Sequence, residues 1–259
     1  MKAIYCVVLI AGSAALSALL PAPGASAQTS KSSKTDGAIE LAVKQSYVFR
    51  NYLKDDDIKI ESKNGDVTLT GIISEYFHKS LAHETVMDIR GVKTIDNRLE
   101  VKGSPPSANS DVWLRDKVKA SLLFHRSVNA GSTEVDVKDG VVTLRGQAMS
   151  QAQKELTAEY AGDIEGAREV KNEMTVVKTP KKTLRTKDEK IDDSSITAQV
   201  KMALLLHRST SGLGVSVATE KGTVMLNGKA ANTAEKDRVT RFVKDINGVR
   251  KVKNKMTLK

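Results

Sequence analysis

Apolar residues recur at i, i+4 and i+8 in three separate stretches: Ile39, Val43 and Tyr47; Leu114, Val118 and Leu122; Ile196, Val200 and Leu204. This spacing puts each triplet on one face of an amphipathic helix, with Ser110 and Asp111 as candidate caps of the middle one. After each helix the period changes to two. Val135 and Val137, then Val142 and Leu144, alternate around Lys138-Asp139-Gly140; the first copy has Asn64-Gly65 there and the third Lys221-Gly222. Asn-Gly and Asp-Gly supply the positive φ angles of a tight hairpin turn, so two antiparallel strands are predicted. Helical spacing then returns in Ala82, Val86 and Ile89, in Ala158, Ala161 and Ile164, and in Val239, Val243 and Ile246. Each run stops at Asp-Ile-x-Gly, with Gly91, Gly166 and Gly248 as the stops. A last alternating stretch follows: Ile95, Asn97, Leu99, Val101; Val170, Asn172, Met174, Val176; Val252, Asn254, Met256, Leu258.

The chain therefore repeats helix, strand, strand, helix, strand three times at nearly fixed spacing. The expected fold is α+β: three tandem αββαβ domains, each a three-stranded mixed sheet with two helices on one face. A right-handed crossover through the second helix would make the last strand parallel to a neighbour. The other sheet face is left to solvent or a partner. Gly71, Gly146 and Gly228 end the second strand on its apolar side, where a missing side chain would let a helix approach closely. Asn97, Asn172 and Asn254 lie on the apolar side of the last strand. A buried amide needs partners, so each is read as a clamp on a loop or helix end. The expected domains are 37–103, 110–178 and 191–259. The Pro-rich segment 104–109 and the basic segment 179–190 read as linkers.

Three features resemble the BON family of small αββαβ modules: the N/D-G-x-V-x-L-x-G stretch, the D-I-x-G-V/A stretch and the Asn of the last strand. The resemblance covers roughly 39–102, 112–177 and 193–258. The third copy departs slightly, with Thr223 after its hairpin Gly and Met225 between its apolar strand residues. The resemblance implies an envelope location, association with phospholipid surfaces and protection of the envelope under osmotic or membrane stress. It implies no catalytic residues and no cofactor.

The N-terminus fits an export signal. Lys2 precedes an apolar run from Ile4 to Leu20, and Ala25-Ser26-Ala27 predicts cleavage after Ala27. The single cysteine, Cys6, lies inside this segment and lacks the context of a lipid-modified residue. The mature chain then has no disulfide and no thiolate chemistry. A periplasmic address is expected, with peripheral membrane contact.

Charge is unevenly divided. Residues 37–103 and 110–178 each carry 10 Lys and Arg against 11 Asp and Glu, whereas residues 191–259 carry 13 against 6. The formal net charge of +10 thus belongs to the third unit and the linker before it. In its last strand Lys251, Lys253, Lys255 and Lys259 share one face, spaced by about 6.6 Å per two residues. The second copy has Glu169, Lys171, Glu173 and Val177 at these places. Lys236, Arg238, Arg241 and Lys244 on the second helix add to the basic set. Two readings fit: lysines guarding an exposed edge against aggregation, and a surface for an anionic partner. Trp113 has Ala38 and Ser195 as counterparts, so the fold does not require it; membrane-interface contact, a protein hot spot and rim packing all fit.

Other chemistry is weakly signalled. His83-Glu84 opens like a zinc-protease helix, but Met87 stands where the second ligand would be. His125 and His207 share Leu-Leu-x-His-Arg-Ser, with Arg50 in the first copy, and are read as helix-end caps. Asp55-Asp56-Asp57 lacks the alternation of a calcium loop and is read as a solvated turn. The expectation is a non-enzymatic protein without metal or cofactor that binds anionic phospholipid. Binding of envelope proteins, as a chaperone or scaffold, is the alternative. Nucleic acid suits the charge, but the export signal and an aromatic content of 4% argue against it.

Overall fold

The computed structural model describes residues 25–103, 107, 110–177, 190–211 and 214–259. The apolar run read above as part of an export signal and most of both expected linkers lie outside these residues. The first unit comprises α1 (Ala25–Gln45), α2 (Tyr47–Asn51), β1 (Asp57–Lys63), β2 (Asp66–Ile73), α3 (Tyr76–Met87) and β3 (Thr94–Val101). The expected cleavage point after Ala27 falls in the first turn of α1. The second unit comprises α4 (Asp111–Phe124), β4 (Thr133–Lys138), β5 (Val141–Ala148), α5 (Gln151–Gly162), β6 (Glu169–Asn172) and β7 (Thr175–Val176). The third comprises α6 (Asp193–Leu206), α7 (Arg208–Ser211), β8 (Ser216–Glu220), β9 (Thr223–Asn227), β10 (Lys229–Ala230), α8 (Thr233–Lys244), β11 (Lys251–Asn254) and β12 (Thr257–Leu258). In every unit the second strand is central, antiparallel to the first and parallel to the last.

The hairpin turn is fixed twice over. Asn64 and Gly65 have φ of 56° and 87°, Asp139 and Gly140 of 55° and 77°, and Lys221 and Gly222 of 49° and 74°. Both central residues are left-handed, as a type I′ turn requires. The two amides of each turn then donate to one carboxylate of the first helix, in its middle in the first unit and at its first residue in the other two. Asp36 takes Asn64 N at 2.8 Å and Gly65 N at 2.9 Å. Asp111 takes Asp139 N at 2.7 Å and Gly140 N at 2.9 Å. Asp193 takes Lys221 N at 2.6 Å and Gly222 N at 2.8 Å. Of the two candidate caps, Ser110 caps α4 by accepting from Trp113 N, while Asp111 reaches across to the hairpin. The signal for this clamp was an Asp placed 28 residues before each turn.

The last strand is tied to the second helix by its asparagine. The Asn97, Asn172 and Asn254 amides donate to the carbonyls of Lys79, Lys154 and Lys236 at 2.9, 2.7 and 3.0 Å. Their side-chain oxygens accept from the backbone two residues on, at Leu99, Met174 and Met256. In the second and third units the strand is interrupted at this point, so β6 and β7, or β11 and β12, replace one long strand.

Three readings need correction. Gly71, Gly146 and Gly228 do not make room for a helix. They have φ of 126°, 117° and 149°. A Cβ at Gly71 or Gly146 would lie 1.9 Å from the carbonyl oxygen of Asp57 or Ser132, on the adjacent strand or just before it. Tyr47 does not continue the core stripe of α1. The helix breaks at Ser46, whose hydroxyl donates to Val43 O at 2.8 Å and accepts from Phe49 N. Val48 and Phe49 are buried in its place. Asp56 is not solvated either. Its side chain is 1% exposed; it accepts from the Ser74 amide and hydroxyl and sits 2.6 Å from His78 Nδ1.

The units are not beads on a string, because their buried residues form one continuous core. Helix α6 buries Ile196, Val200 and Leu204 against its own sheet and also buries Ser195, Ala198, Gln199, Met202 and Ala203. The first unit covers part of this second surface. The break at Ser46 frees the amides of Tyr47 and Val48, which donate to Asp192 Oδ2 at 2.7 Å and Ser195 Oγ at 3.1 Å. Burial pushes the Asp192 carboxyl up, but bonds from Ser194, Tyr47 and Ser195 outweigh it and hold the group below the usual range. Tyr52 Oη lies 3.2 Å from both Leu123 O and Gln199 Oε1, so one phenol of the first unit bridges the other two. Lys201 adds an ion pair to Glu84 at 2.9 Å.

Gly146→Ala should destabilise the protein by about 2 kcal/mol or more, since both φ and the Ser132 carbonyl oppose a methyl group. Gly131 has open space around its Cβ position, so Gly131→Ala should change stability by less than about 1 kcal/mol. Urea unfolding of the two variants measures the contrast.

Candidate functional site

The outer sheet face of the third unit is built by alternation. Val252, Asn254 and Met256 turn toward the helices, and Lys251, Lys253, Lys255 and Lys259 are exposed. Strand β11 is an edge strand, with β9 beside it and β8 beyond. Lys251 pairs with Thr223 and Lys253 with Met225; Ala218 and Glu220 on β8 complete the rows. Glu220 is the one acidic residue on these rows. None of Lys251, Lys253 and Lys255 forms an ion pair among the described residues.

The equivalent faces of the other units are neutralised locally. In the second unit Arg145 Nε lies 2.9 Å from Glu173 Oε2, and Glu134, Asp136 and Glu169 stand nearby on the same sheet face. In the first, Arg98 pairs with Asp96 at 2.5 Å. Among the described residues, the third unit's face sets Lys251, Lys253, Lys255 and Lys259 against the single acid Glu220, whereas the other two faces mix acids and bases.

The helix cations divide. Lys236 is half-buried, and its ammonium donates to Met256 O at 2.7 Å. Lys79 makes the same bond to Leu99 O at 2.7 Å, and Lys154 holds this position in the second copy. Lys236 therefore belongs to the repeated framework and not to the basic surface. Arg238, Arg241 and Lys244 are exposed. Arg241 and Lys244 lie in the last turn of α8, where they also favour the helix dipole. Helix α8 packs over β11, so these cations lie beyond the same sheet edge as the lysines but on the helix side.

Trp113 is not brought to this surface. It is half-buried on α4, with the Lys117 ammonium 3.6 Å from its ring centroid. Burial holds the Lys117 amine below its ordinary range, against an opposing pull from Glu165. The indole lines a cavity of about 330 Å³ together with Tyr76 and Phe77 of the first unit and Met202, Leu205 and Leu206 of the third. Tyr76 and Leu205 are 53% and 61% exposed. All three units thus contribute to one apolar groove, on the helix side of the third sheet and away from the lysine face.

His125 and His207 stand at the C-cap positions of α4 and α6, their backbone amides donating to Leu122 O and Ala203 O, but their imidazoles do not bond those helix ends. Arg50 does cap, donating to Gln45 O at the end of α1 at 2.9 Å. His125 and His207 point instead into each other's units. His125 Nδ1 lies 3.3 Å from Asp245 Oδ2, and His207 Nδ1 lies 3.2 Å from Asp163 Oδ2. The arginines that follow do likewise. Arg126 donates to the carbonyls of Lys244, Ile246 and Val249. Arg208 donates to Gly162 O at 2.7 Å. The contacts between the second and third units are therefore nearly two-fold symmetric. The sequence signal was Leu-Leu-x-His-Arg-Ser in these two copies alone; sequence spacing gave no sign that its partner was the Asp-Ile-x-Gly turn of another unit.

Fold and surface together define a tandem-repeat protein of αββαβ modules with one unneutralised basic face. The BON domain family matches residues 35–103, 110–178 and 192–259, and the chain belongs to that family. Osmotically-inducible protein Y of Escherichia coli (strain K12) is 31% identical over 143 residues, 54% of this chain and 71% of that protein. Outer membrane lipoprotein DolP of Haemophilus influenzae is 30% identical over 125 residues, 45% of this chain and 64% of that one. A solved structure of CdsD, a structural protein of the type III secretion system of Chlamydia trachomatis, is 18% identical and covers 85% of this chain and 90% of its own, with a TM-score of 0.24. That score is too low to inform the arrangement of the units.

Lys236→Met should lower stability by about 1 kcal/mol through loss of the Met256 carbonyl bond. Lys253→Met should leave it unchanged within about 0.5 kcal/mol. Thermal unfolding of the two variants separates framework lysine from surface lysine.

Proposed function

We propose that this protein is a non-enzymatic, exported component of a bacterial envelope that binds anionic phospholipid surfaces and supports envelope integrity under osmotic or membrane stress. The observation that carries this reading is the row Lys251, Lys253, Lys255, exposed along an edge strand and just past its end, unpaired among the described residues and faced by one acid, Glu220. The names of the similar proteins, one osmotically inducible and one an outer membrane lipoprotein, support the envelope setting. Among the described residues no helix is long and apolar enough to cross a membrane, which fits peripheral contact through charge. Each cation near an anionic bilayer contributes about 1 kcal/mol before screening, so several must act together. Lys259, Arg238, Arg241 and Lys244 extend the basic surface around the β11 edge. Trp113 is a separate candidate, because its groove faces another way. That groove favours the second reading, a chaperone or scaffold that holds envelope proteins by apolar contact.

The packing of α6 changes how these readings are tested. Removing residues 191–259 would strip the cover from α3 and α4, so charge reversal is the cleaner experiment. Co-sedimentation with vesicles of phosphatidylglycerol and phosphatidylcholine at low salt should show anion-dependent binding. Lys251→Glu, Lys253→Glu and Lys255→Glu together should reduce it at least about tenfold. Equal binding to purely zwitterionic vesicles would sink the lipid reading. Protein capture that withstands high salt and is lost in Trp113→Ala would favour the second.

A further inference from the structure

The first sheet has two edges, β1 and β3, and only β3 is closed at its middle. There Asn97 Oδ1 takes the outward amide of Leu99 at 3.2 Å, and Lys79 donates to its outward carbonyl at 2.7 Å. Strand β1 has no such cover at its centre. The tight turn makes Lys63 and Asp66 a hydrogen-bonded pair, so Asp57, Lys59, Glu61 and Lys63 direct their backbone groups to β2. Ile58, Ile60 and Ser62 direct theirs outward. The Ser62 amide donates to Glu40 Oε1 at 2.9 Å. The outward groups of Ile58 and Ile60 meet no partner among the described residues.

The side chains on the solvent face of this edge alternate in sign: Asp57, Lys59, Glu61, Lys63. All four are exposed, and none forms an ion pair among the described residues. Their neighbours on β2 are Ile72, Thr70, Thr68 and Asp66, and Asp66 already accepts from Thr94 at 2.7 Å. A strand of alternating sign is its own complement when reversed. Laid antiparallel across Ile60, a second copy sets Lys59 against Glu61 and Asp57 against Lys63, each pair twice, and opposes no like charges. The corresponding edges of the other units lack this property. Laid across Val135, β4 would set Glu134 against Asp136, and β8 carries only Glu220. Strand β1 is also the longest of the three, with seven residues against six and five.

We propose that β1 is a self-association edge: two copies of this chain pair their β1 strands antiparallel about a two-fold axis at Ile60, joining two three-stranded sheets into one of six strands. Ile60 exchanges two hydrogen bonds with Ile60 of the second copy, and Ile58 pairs with Ser62 on either side. Glu40 holds the Ser62 amide in the single chain and releases it as the pairing completes. The edge is thus guarded at one end and open at its middle. Charge on an edge strand ordinarily keeps copies apart, as Lys251 and Lys253 do on the third sheet. Alternating charge repels a strand of one sign but not its own reverse. The contact is isologous, so it closes at a dimer. It is independent of the lipid reading, since β1 and the lysine row belong to different units.

The test is the oligomeric state of residues 28–259 by sedimentation equilibrium at low salt, at up to about 1 mM chain. A monomer–dimer equilibrium is expected. Lys59→Glu or Glu61→Lys alone opposes like charges and should weaken dimerisation at least about tenfold. The two together restore opposite pairs and should bring it back to within about threefold of wild type. Register is read separately. Residues 59 and 61 of the two copies form a non-hydrogen-bonded pair, close enough for a disulfide, and residues 28–259 contain no cysteine. Mixed Lys59→Cys and Glu61→Cys chains should therefore cross-link under mild oxidation faster than either variant alone. A monomer throughout the range overturns the proposal. So do growth beyond a dimer, a dimer indifferent to the single charge reversals, and a double reversal as weak as the singles. If a charge variant does not fold, the cysteine pair decides, and equal cross-linking of mixed and single variants refutes the pairing.

Discussion

Burial of α6 on two sides is the constraint on which the arrangement of the molecule depends. One face of this helix carries Ile196, Val200 and Leu204 into the third sheet, as in any αββαβ unit. The opposite surface carries Ser195, Ala198, Gln199, Met202 and Ala203, small or uncharged groups that admit close neighbours. The first unit reaches this surface through the break at Ser46, and the second through the paired histidine turns. Fragments of the chain would therefore expose apolar surface that the whole chain buries. The units cannot be treated as independent modules joined by flexible tethers, and gain by simple avidity is the wrong picture.

Within each unit a different economy operates. The αββαβ frame rests on a few polar devices at fixed spacing: an Asp of the first helix that receives both hairpin amides, and an Asn that joins the last strand to the second helix. A Gly whose backbone runs too close to the neighbouring strand for a side chain completes them. Each satisfies groups that would otherwise be left unpaired at a turn or strand end. With no cysteine outside Cys6, this satisfied polar frame and the shared apolar core carry the stability. Lys236 belongs to the frame as well, which removes it from the functional surface while leaving its neighbours there.

The basic face shows how repeats separate scaffold from function. Equivalent positions on the second sheet alternate acid and base, and Glu173 pairs with Arg145 of the central strand. On the third they are lysines facing Thr, Met and Ala. Placing uncompensated cations on an exposed edge does not help the fold beyond discouraging edge-to-edge pairing. The anionic partner proposed above would account for the concentration in one unit and its absence from two.

Alternation and helical spacing made the strands, helices, hairpins and domain order legible, because a period of two or of 3.6 is a local property of the chain. The lysine row was legible for the same reason: neighbours two apart on a strand must share a face. Asp36, Asp111 and Asp193 were visible as a repeat, but their role was not, since hydrogen-bond partners 28 residues away are set by the folded path. The inter-unit contacts were hidden more completely. His125 and Asp245 are 120 residues apart, and a histidine at a helix end looks alike whether it caps its own helix or enters another unit. Sequence by itself determined what each unit is and which unit is basic. Tertiary structure alone decided that Trp113 faces a three-unit groove, that Lys236 is structural and that two histidines meet. Those outcomes depend on how apolar surfaces left over from local folding find one another, and no local period encodes that.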